Sequence, residues 1–370
     1  MAGDATLNRG ADRLPSLDGL RGLSIGLVLL GHALATMPAW PRWLYPIETV
    51  AANAELGVSF FFVISGYLIT HLLMSERART GRISLYNFYV RRVTRIIPAY
   101  YLYLGCVGLL AAGGCVQVRG KDFFAAAIFL WNYLPWTAGW WLGQSWSLCI
   151  EEQFYLLWPA TLLMLGPRRA LKLALAIIAL EPFIRVANYW LWPAARGRIP
   201  VMLHTRADIL MFGCVLALAH EDRRAGAILE RIGRPWIAGL AAVFIFTIDP
   251  FLGARWRGAW ALPFGMSLEG AGIAAIVWWL MHNPATWAGR LFNRPALMWI
   301  GGISYSLYLW QQMFLTPLNR TLSGRFPLNL GCAIGVAAAS YYLLERPIMR
   351  RRGRLMRPVA VTNSAAADAI

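Results

Sequence analysis

Charged residues are scarce in this chain. Of its 370 residues, 14% are Asp, Glu, Lys or Arg and 58% are hydrophobic. A soluble domain carries about 25% charged residues, so this composition excludes an ordinary soluble enzyme and indicates a membrane protein with several spans. The polar segment Met1–Ser16 lacks the pattern of a cleavable signal peptide. The first apolar helix is therefore expected to act as the insertion signal.

Paired cysteines and glycine-rich phosphate loops are also lacking. The five cysteines are scattered along the chain with no paired spacing, which predicts small packing residues rather than disulfides or metal ligands. The absence of a glycine-rich phosphate loop excludes a nucleoside triphosphate site of the usual kind. We therefore expect no metal site and no bound cofactor.

Acidic residues are few relative to basic ones, with 18 Asp and Glu against 35 Lys and Arg and a net charge of +17. Such an excess is also typical of nucleic-acid binding, but here the cations fall mostly in short loops between apolar runs. That is the positive-inside pattern of membrane proteins, so the expected partner is the lipid bilayer and not nucleic acid. Basic residues precede the first span and fill the tail Glu345–Arg357. Both termini are therefore expected in the cytoplasm, and the protein in the inner (cytoplasmic) membrane.

The apolar runs predict ten membrane crossings: Leu20–Pro38, Glu55–Met74, Ile96–Ala112, Trp146–Leu165, Leu171–Trp192, Ala207–Ala219, Trp236–Ile248, Leu262–Met281, Ala296–Thr316 and Leu328–Leu344. We interpret the fold as all-α, a polytopic transmembrane helical bundle. Its expected parts are a cytoplasmic tail 1–16, one membrane domain 17–350, and a basic and then disordered cytoplasmic tail 351–370. Loop 39–54 is expected outside.

One further apolar segment, Phe123–Pro135, is too short to cross. It has about 13 residues, whereas a crossing needs roughly 20, and the neighbouring spans place both of its ends outside. We expect it to re-enter the membrane or to lie in the interface. Irregular backbone at that depth must be satisfied by protein or by a watered cavity, so the segment is a predicted cavity wall.

The first apolar run carries two ionisable residues, Arg21 at its entrance and His32 eleven positions later. Eleven residues of helix make about three turns plus 20°, so both side chains point from one face, about 16 Å apart. Ionisable groups inside a bilayer are costly and suggest function, and histidine is the usual general base near neutral pH. The alternative is a histidine that only hydrogen-bonds to a neighbouring helix.

Candidate partners for His32 lie at the outer ends of other spans. Glu151 and Glu152 are adjacent and point about 100° apart on a helix, so one can face a cavity while the other caps the helix N-terminus. The alternative is that both cap that end in water. Asp208 stands near Arg206 at the start of another span, where a local ion pair is an equally good interpretation.

Other charged residues form predicted local pairs or clusters. Glu181 and Arg185 are four apart and are expected to neutralise each other on one helix. On the inner side, Arg92 and Arg95 are three apart and share a helical face. Arginine pairs of this kind bind phosphate in a bidentate manner. The alternative for them is positive-inside anchoring.

The chain resembles the acyltransferase 3 family of integral-membrane proteins, which O-acylate sugars, polysaccharides and some natural products. The matching segments, in order, are Leu17–Gly22 with His32, Gly57–Tyr67, Arg92-x-x-Arg95, Trp146–Tyr155, Gly302–Trp310 and Glu345–Pro347. Similar proteins often have histidine after the last tryptophan, where this chain has Gln311. Glutamine cannot act as a base, so the departure places more weight on His32.

The resemblance implies transfer of an acyl group, expected to be acetyl, from cytoplasmic acyl-CoA to a carbohydrate or glycan hydroxyl. It implies Arg21, Arg92 and Arg95 as acyl-CoA ligands, and His32, with Glu151 and Glu152, as catalytic residues. His32 would be a base or a transient acyl carrier. The expected substrate pocket comprises Ser65, Tyr67, Trp146, Ser147, Arg206, Asp208, Ser304, Tyr305 and Tyr308. The alternatives are acylation of a non-sugar natural product, or a transporter or flippase for a sugar or lipid-linked glycan, although inverted repeats are not evident.

Overall fold

The computed structural model describes residues 14, 16–37, 53–134 and 139–357. Every regular element among them is helical. The main helices are α1 (Leu17–Leu34), α2 (Ala54–Thr80), α3 (Leu85–Ala112), α4 (Gly120–Ala127), α5 (Ser145–Leu191), α6 (Ala207–Leu218), α7 (Arg223–Ile232), α8 (Pro235–Trp256), α9 (Gly258–His282), α10 (Trp287–Phe292), α11 (Pro295–Gly302), α12 (Ser304–Phe314) and α13 (Leu328–Arg354). The predicted terminal tails and loop 39–54 fall mostly outside the described residues.

Six of these helices are long and apolar enough to cross a membrane: α1, α2, α3, α8, α9 and α13. Helix α2 is central, because 72% of its most apolar stretch is buried within the protein, compared with 11% for the peripheral α8. The other predicted crossings correspond to α5, which kinks at Gly166 (φ 71°, ψ 166°), to the short α6, and to α11 and α12, which are separated at Ile303. The count of ten crossings stays a prediction.

Helix α3 begins well before the predicted third span. The Ser84 side chain accepts a hydrogen bond from the backbone N–H of Asn87 at 3.3 Å, which is the arrangement of an N-cap. The helix therefore includes Arg92 and Arg95, which the predicted span Ile96–Ala112 left outside, so the predicted start was wrong. Both arginines belong to α3, so they share one helical face as predicted.

The segment predicted to re-enter the membrane forms the short helix α4 and an irregular turn. Side chains of α3 and α5 supply its hydrogen bonds: Tyr100 donates to the carbonyl of Ala126 at 2.9 Å, and Gln153 donates to the carbonyl of Phe129 at 2.8 Å. Protein groups thus satisfy non-helical backbone beside the middle of α3, as a membrane interior requires.

Helix α1 is held against α10 and α11 by close backbone contact. A Cβ on Gly301 would lie 1.7 Å from the Asp18 carbonyl oxygen, and one on Gly19 would lie 1.8 Å from the carbonyl oxygen of Phe292. Only glycine permits this approach. The side chain of Asn293 also exchanges hydrogen bonds with Ser16 at the start of α1. These contacts fix the end of α1 that carries Arg21.

Candidate active site

A cavity of about 310 Å³ lies between α1, α2, α3, α5 and α12. It is the place where most of the sequence-predicted site residues meet. Its ionisable walls are Arg21, Arg92, Arg95, Asp18 and Glu151, and its hydroxyl-bearing walls are Ser65, Ser147, Tyr155, Ser304, Tyr305 and Tyr308.

The three arginines leave much of their hydrogen-bonding capacity open. Arg21 donates to the Ser304 hydroxyl at 3.0 Å, while the Arg92 guanidinium lies 5.5 Å from the centre of the Tyr155 ring and its buried Nε has no partner. None of the three forms a salt bridge within the described part of the chain. Although Asp18 and Glu151 line the same cavity, three guanidinium groups that form no salt bridge with them make a site suited to phosphate.

The two adjacent carboxylates of α5, Glu151 and Glu152, differ in whether they face the cavity. Glu151 lines the cavity and Glu152 does not. Both lie beyond the first turn of α5, which begins at Ser145, so neither caps the helix N-terminus. The capping role predicted for one of them, and in the alternative for both, was wrong. Beside Glu151, the hydroxyls of Ser65 and Tyr155 form a 2.5 Å hydrogen bond.

His32 lies in the last turn of α1, outside the lining of this cavity. Its Nδ1 is 2.8 Å from Oε1 of Gln311. The edge-on ring of Trp140, with its centre 5.1 Å away, packs against the imidazole. The imidazole thus has one polar neighbour and one aromatic neighbour among the described residues.

A chain of amide hydrogen bonds sets the orientation of Gln311. Its Nε2 donates to Oε1 of Gln312 at 3.1 Å, and Nε2 of Gln312 donates to the carbonyl of Trp140 at 2.7 Å. Oε1 of Gln311 must then accept from His32, so Nδ1 carries the proton in the neutral imidazole. The lone pair lies on Nε2, which makes no hydrogen bond with the described residues. This tautomer is the one that lets Nε2 accept a proton.

One face of α12 connects the arginine cavity to His32. Ser304 bonds to Arg21, Tyr308 shares a 2.6 Å hydrogen bond with Ser147, and Gln311 bonds to His32. Positions 304, 308 and 311 recur at helical spacing. The orienting role of Gln311 was not predicted, although the polar stripe in this apolar segment is visible in the sequence.

Four residues predicted for the substrate pocket lie elsewhere: Tyr67, Trp146, Arg206 and Asp208. Arg206 donates to the Ser59 hydroxyl at 2.9 Å and lies 3.7 Å from the Glu55 carboxylate. The ring of Trp146 packs 5.1 Å from the Arg206 guanidinium. The ring of Tyr67 stacks on that of His71, in the same helix. The predicted wall Phe123–Pro135 also contributes no described residue to the cavity.

The predicted local ion pairs are replaced by one between helices. Arg185 forms a fully buried salt bridge with Asp208, which also accepts from Ser267 at 2.5 Å. The Glu181 carboxylate instead accepts from the backbone N–H of Ala207 at 2.9 Å. Both local pairings were therefore wrong, because the buried Asp208 carboxylate pairs with a buried arginine of another helix.

Comparison with known proteins identifies the family. The model of a family described as an acyltransferase domain matches residues 14–346, nearly the whole chain. The chain belongs to the acyltransferase 3 family. It is 28% identical over 375 residues to the peptidoglycan O-acetyltransferase OatA of Listeria monocytogenes, and the match covers 91% of this chain and 56% of that protein.

Staphylococcus aureus proteins are also similar to this family member. The chain is 29% identical over 369 residues to the O-acetyltransferase OatA of strain NCTC 8325, covering 91% of this chain and 57% of that protein. It is 29% identical over 366 residues, with the same coverage, to a putative O-acetyltransferase of strain COL. The chain thus spans a little over half the length of these relatives. No solved structure matches it.

Proposed function

We propose that the protein is a membrane O-acetyltransferase that moves an acetyl group from acetyl-CoA to a hydroxyl of a carbohydrate or glycan. The observation that carries the proposal is the polar face of α12, which bonds at one end to Arg21 and at the other to His32. This face thereby connects the cationic donor site at Arg21 with the base His32, which lies about 16 Å away along α1. Family membership and the O-acetyltransferase names of the relatives support the acetyl group and the glycan acceptor.

The donor is proposed to bind with its phosphates at Arg21, Arg92 and Arg95. CoA is a linear molecule with phosphates at one end and the thioester at the other, so anchoring the phosphates directs the thioester along α12. Ser147 and Tyr308 line the cavity and share a hydrogen bond. Their hydroxyls are proposed to exchange this hydrogen bond for one to the thioester carbonyl oxygen when the donor binds.

His32 is proposed as the general base. Its Nε2 takes the proton of the acceptor hydroxyl while that oxygen attacks the thioester carbonyl carbon. The carbon–sulfur bond then breaks, and the CoA sulfur leaves with the proton returned by the imidazolium. Negative charge on the carbonyl oxygen is stabilised by hydroxyl donors of the cavity such as Tyr308. In the competing acyl-histidine route, Nε2 first attacks the thioester carbonyl carbon and the carbon–sulfur bond breaks. The acceptor hydroxyl then attacks the acyl carbon, the bond to Nε2 breaks, and the hydroxyl proton goes to the CoA thiolate.

We further propose ten crossings with both termini in the cytoplasm. The two halves of α5, the short α6 and the interrupted pair α11–α12 add four crossings to the six long helices. The arginines of α2 and α3 then lie on the cytoplasmic side, where acyl-CoA is available. His32, at the other end of α1, lies toward the outer side, where the glycan hydroxyl is proposed to approach.

The deciding experiment measures CoA release by the purified protein in lipid nanodiscs, with acetyl-CoA and soluble glycan fragments. We expect thiol release that depends on the acceptor, and an acetyl ester on the glycan by mass spectrometry. Rapid mixing without acceptor separates the two routes, because only the acyl-histidine route gives a burst of up to one equivalent of released CoA per protein. Glycan transport across vesicles without thiol release would instead establish the transporter alternative.

A further inference from the structure

A second cavity, of about 1000 Å³, lies between the second half of α5, α6, α7 and α9. It is separate from the arginine cavity, and the two share no lining residue. Most of its wall is apolar and is formed by residues such as Leu175, Ile178, Phe212, Val215 and Ile228. A groove of this size and polarity is suited to a hydrocarbon chain rather than to water.

The rim of this groove is basic. Arg168 and Lys172 follow the kink of α5, and Arg223 and Arg224 begin α7. All four side chains are exposed, and none donates a side-chain hydrogen bond to another described residue. These four cations are called the basic rim below. Their charge is available to a ligand.

Two carboxylates, Glu221 and Asp222, also line the groove, so the net charge of its ionisable residues is +2. Asp222 is engaged in capping α7, where it accepts from the backbone N–H groups of Arg224 and Ala225. The backbone N–H groups of Ala225 and Arg224 lower the pKa of Asp222, so this carboxylate is ionised at neutral pH. Its full negative charge is therefore included in the net charge of +2, and the groove still carries an excess of positive charge.

The groove opens at the end of the bundle that also holds the basic end of α2. Arg206, at the start of α6, contacts Ser59 and Glu55 at the start of α2, so the two helices run in the same direction. The end of α6 that lines the groove therefore lies on the same side of the bundle as Arg77 and Arg79 at the end of α2. An excess of cations marks this end as the cytoplasmic face, where the leaflet is rich in anionic lipid.

We propose that this groove binds one anionic phospholipid, with its phosphate at the basic rim and an acyl chain along the apolar wall. The charge complementarity of the rim selects an anionic headgroup, since the same wall would accept the chain of any lipid. Bound lipid would tie α7 to α5 across the groove. This inference does not depend on the proposed acetyl transfer.

The test uses native mass spectrometry on full-length protein equilibrated with equal amounts of phosphatidylglycerol and phosphatidylcholine. Wild-type protein is expected to retain one phosphatidylglycerol in preference to phosphatidylcholine. The variant R168Q/K172Q/R223Q/R224Q is expected to lose at least about tenfold in that preference, because each cation near a surface adds attraction to anionic lipid. The matched control R231Q/R234Q removes two exposed cations outside the groove and is expected to keep the preference.

Equal retention of both lipids by wild-type protein, or an unchanged preference in the fourfold variant, would overturn the proposal. Displacement of phosphatidylglycerol by palmitoyl-CoA at equal concentration would overturn it in favour of an acyl-CoA site. A second measurement covers failure of the fourfold variant to fold. A fluorophore at Ile228→Cys should be quenched more by brominated-chain phosphatidylglycerol than by brominated phosphatidylcholine, and equal quenching would contradict the assignment.

Discussion

The orientation of His32 by Gln311 leads to a graded prediction for Gln311→Met. Methionine keeps much of the length of glutamine but cannot accept the hydrogen bond from Nδ1 of His32, which is 2.8 Å long in the structure. Without that acceptor, the neutral imidazole also populates the tautomer with its proton on Nε2. That tautomer cannot take the proton of a hydroxyl, so turnover should fall without being abolished.

The size of the effect follows from the hydrogen bond that is removed. A neutral hydrogen bond contributes about 0.5–1.5 kcal/mol net, which corresponds to roughly a 2- to 12-fold drop in kcat. Complete loss of a general base costs about 10²–10⁴-fold, so the two cases are separable. Gln311 does not line the arginine cavity. The KM for acetyl-CoA should therefore be unchanged in Gln311→Met.

The assay is steady-state CoA release in nanodiscs at saturating acceptor, with wild-type protein and Gln311→Met compared at several acetyl-CoA concentrations. Gln117→Met, at an exposed glutamine, is the matched control and should behave as wild type. Wild-type kcat in Gln311→Met would refute the orienting role. A loss as large as that of His32→Ala would refute it in the other direction, since Gln311 would then take part in the chemistry itself.

The remaining predictions concern the donor site, the buried ion pair and the topology. R92Q/R95Q should raise the KM for acetyl-CoA about 10²- to 10⁴-fold, because it removes two charge-assisted hydrogen bonds that each contribute about 1.5–3 kcal/mol; R92K/R95K should restore little, since lysine lacks the planar fork. Arg185→Leu should lower the free energy of unfolding by about 3–5 kcal/mol, and R185L/D208L by less, measured by thermal denaturation. A cysteine at Trp141 should react with a membrane-impermeant thiol reagent added outside, and reaction only from the cytoplasmic side would contradict the topology.

Much of the fold was accessible from the sequence because hydrophobic length and charge asymmetry act locally. The start of α6 at Ala207 was predicted by composition alone. A break after Leu165 was also predicted, but the structure has a kink at Gly166 within one helix rather than two separate helices. The early start of α3 was not, because an N-cap serine can extend a helix through a basic segment that hydropathy assigns to a loop. The interruption at Ile303 likewise could not be predicted from hydropathy, since the helices on both sides of it are apolar.

The candidate site was accessible only in part. The spacing of Arg21 and His32 predicted one face of α1, and the structure places their partners on one face of α12. Spacing along one helix could not predict that Asp208 pairs with Arg185 across two helices, because that choice depends on which buried charges meet after packing. The same holds for Glu151 facing the cavity when Glu152 does not.

The central claim is that His32 accepts a proton during acyl transfer, and His32→Gln tests it most directly. Glutamine retains hydrogen bonding and much of the size of histidine but cannot take a proton. We expect correctly inserted His32→Gln protein to bind acetyl-CoA as wild type does and to lose about 10²–10⁴-fold in acceptor-dependent CoA release. Near wild-type turnover in this variant would contradict the account and would move the search for the base to Glu151 or Glu152.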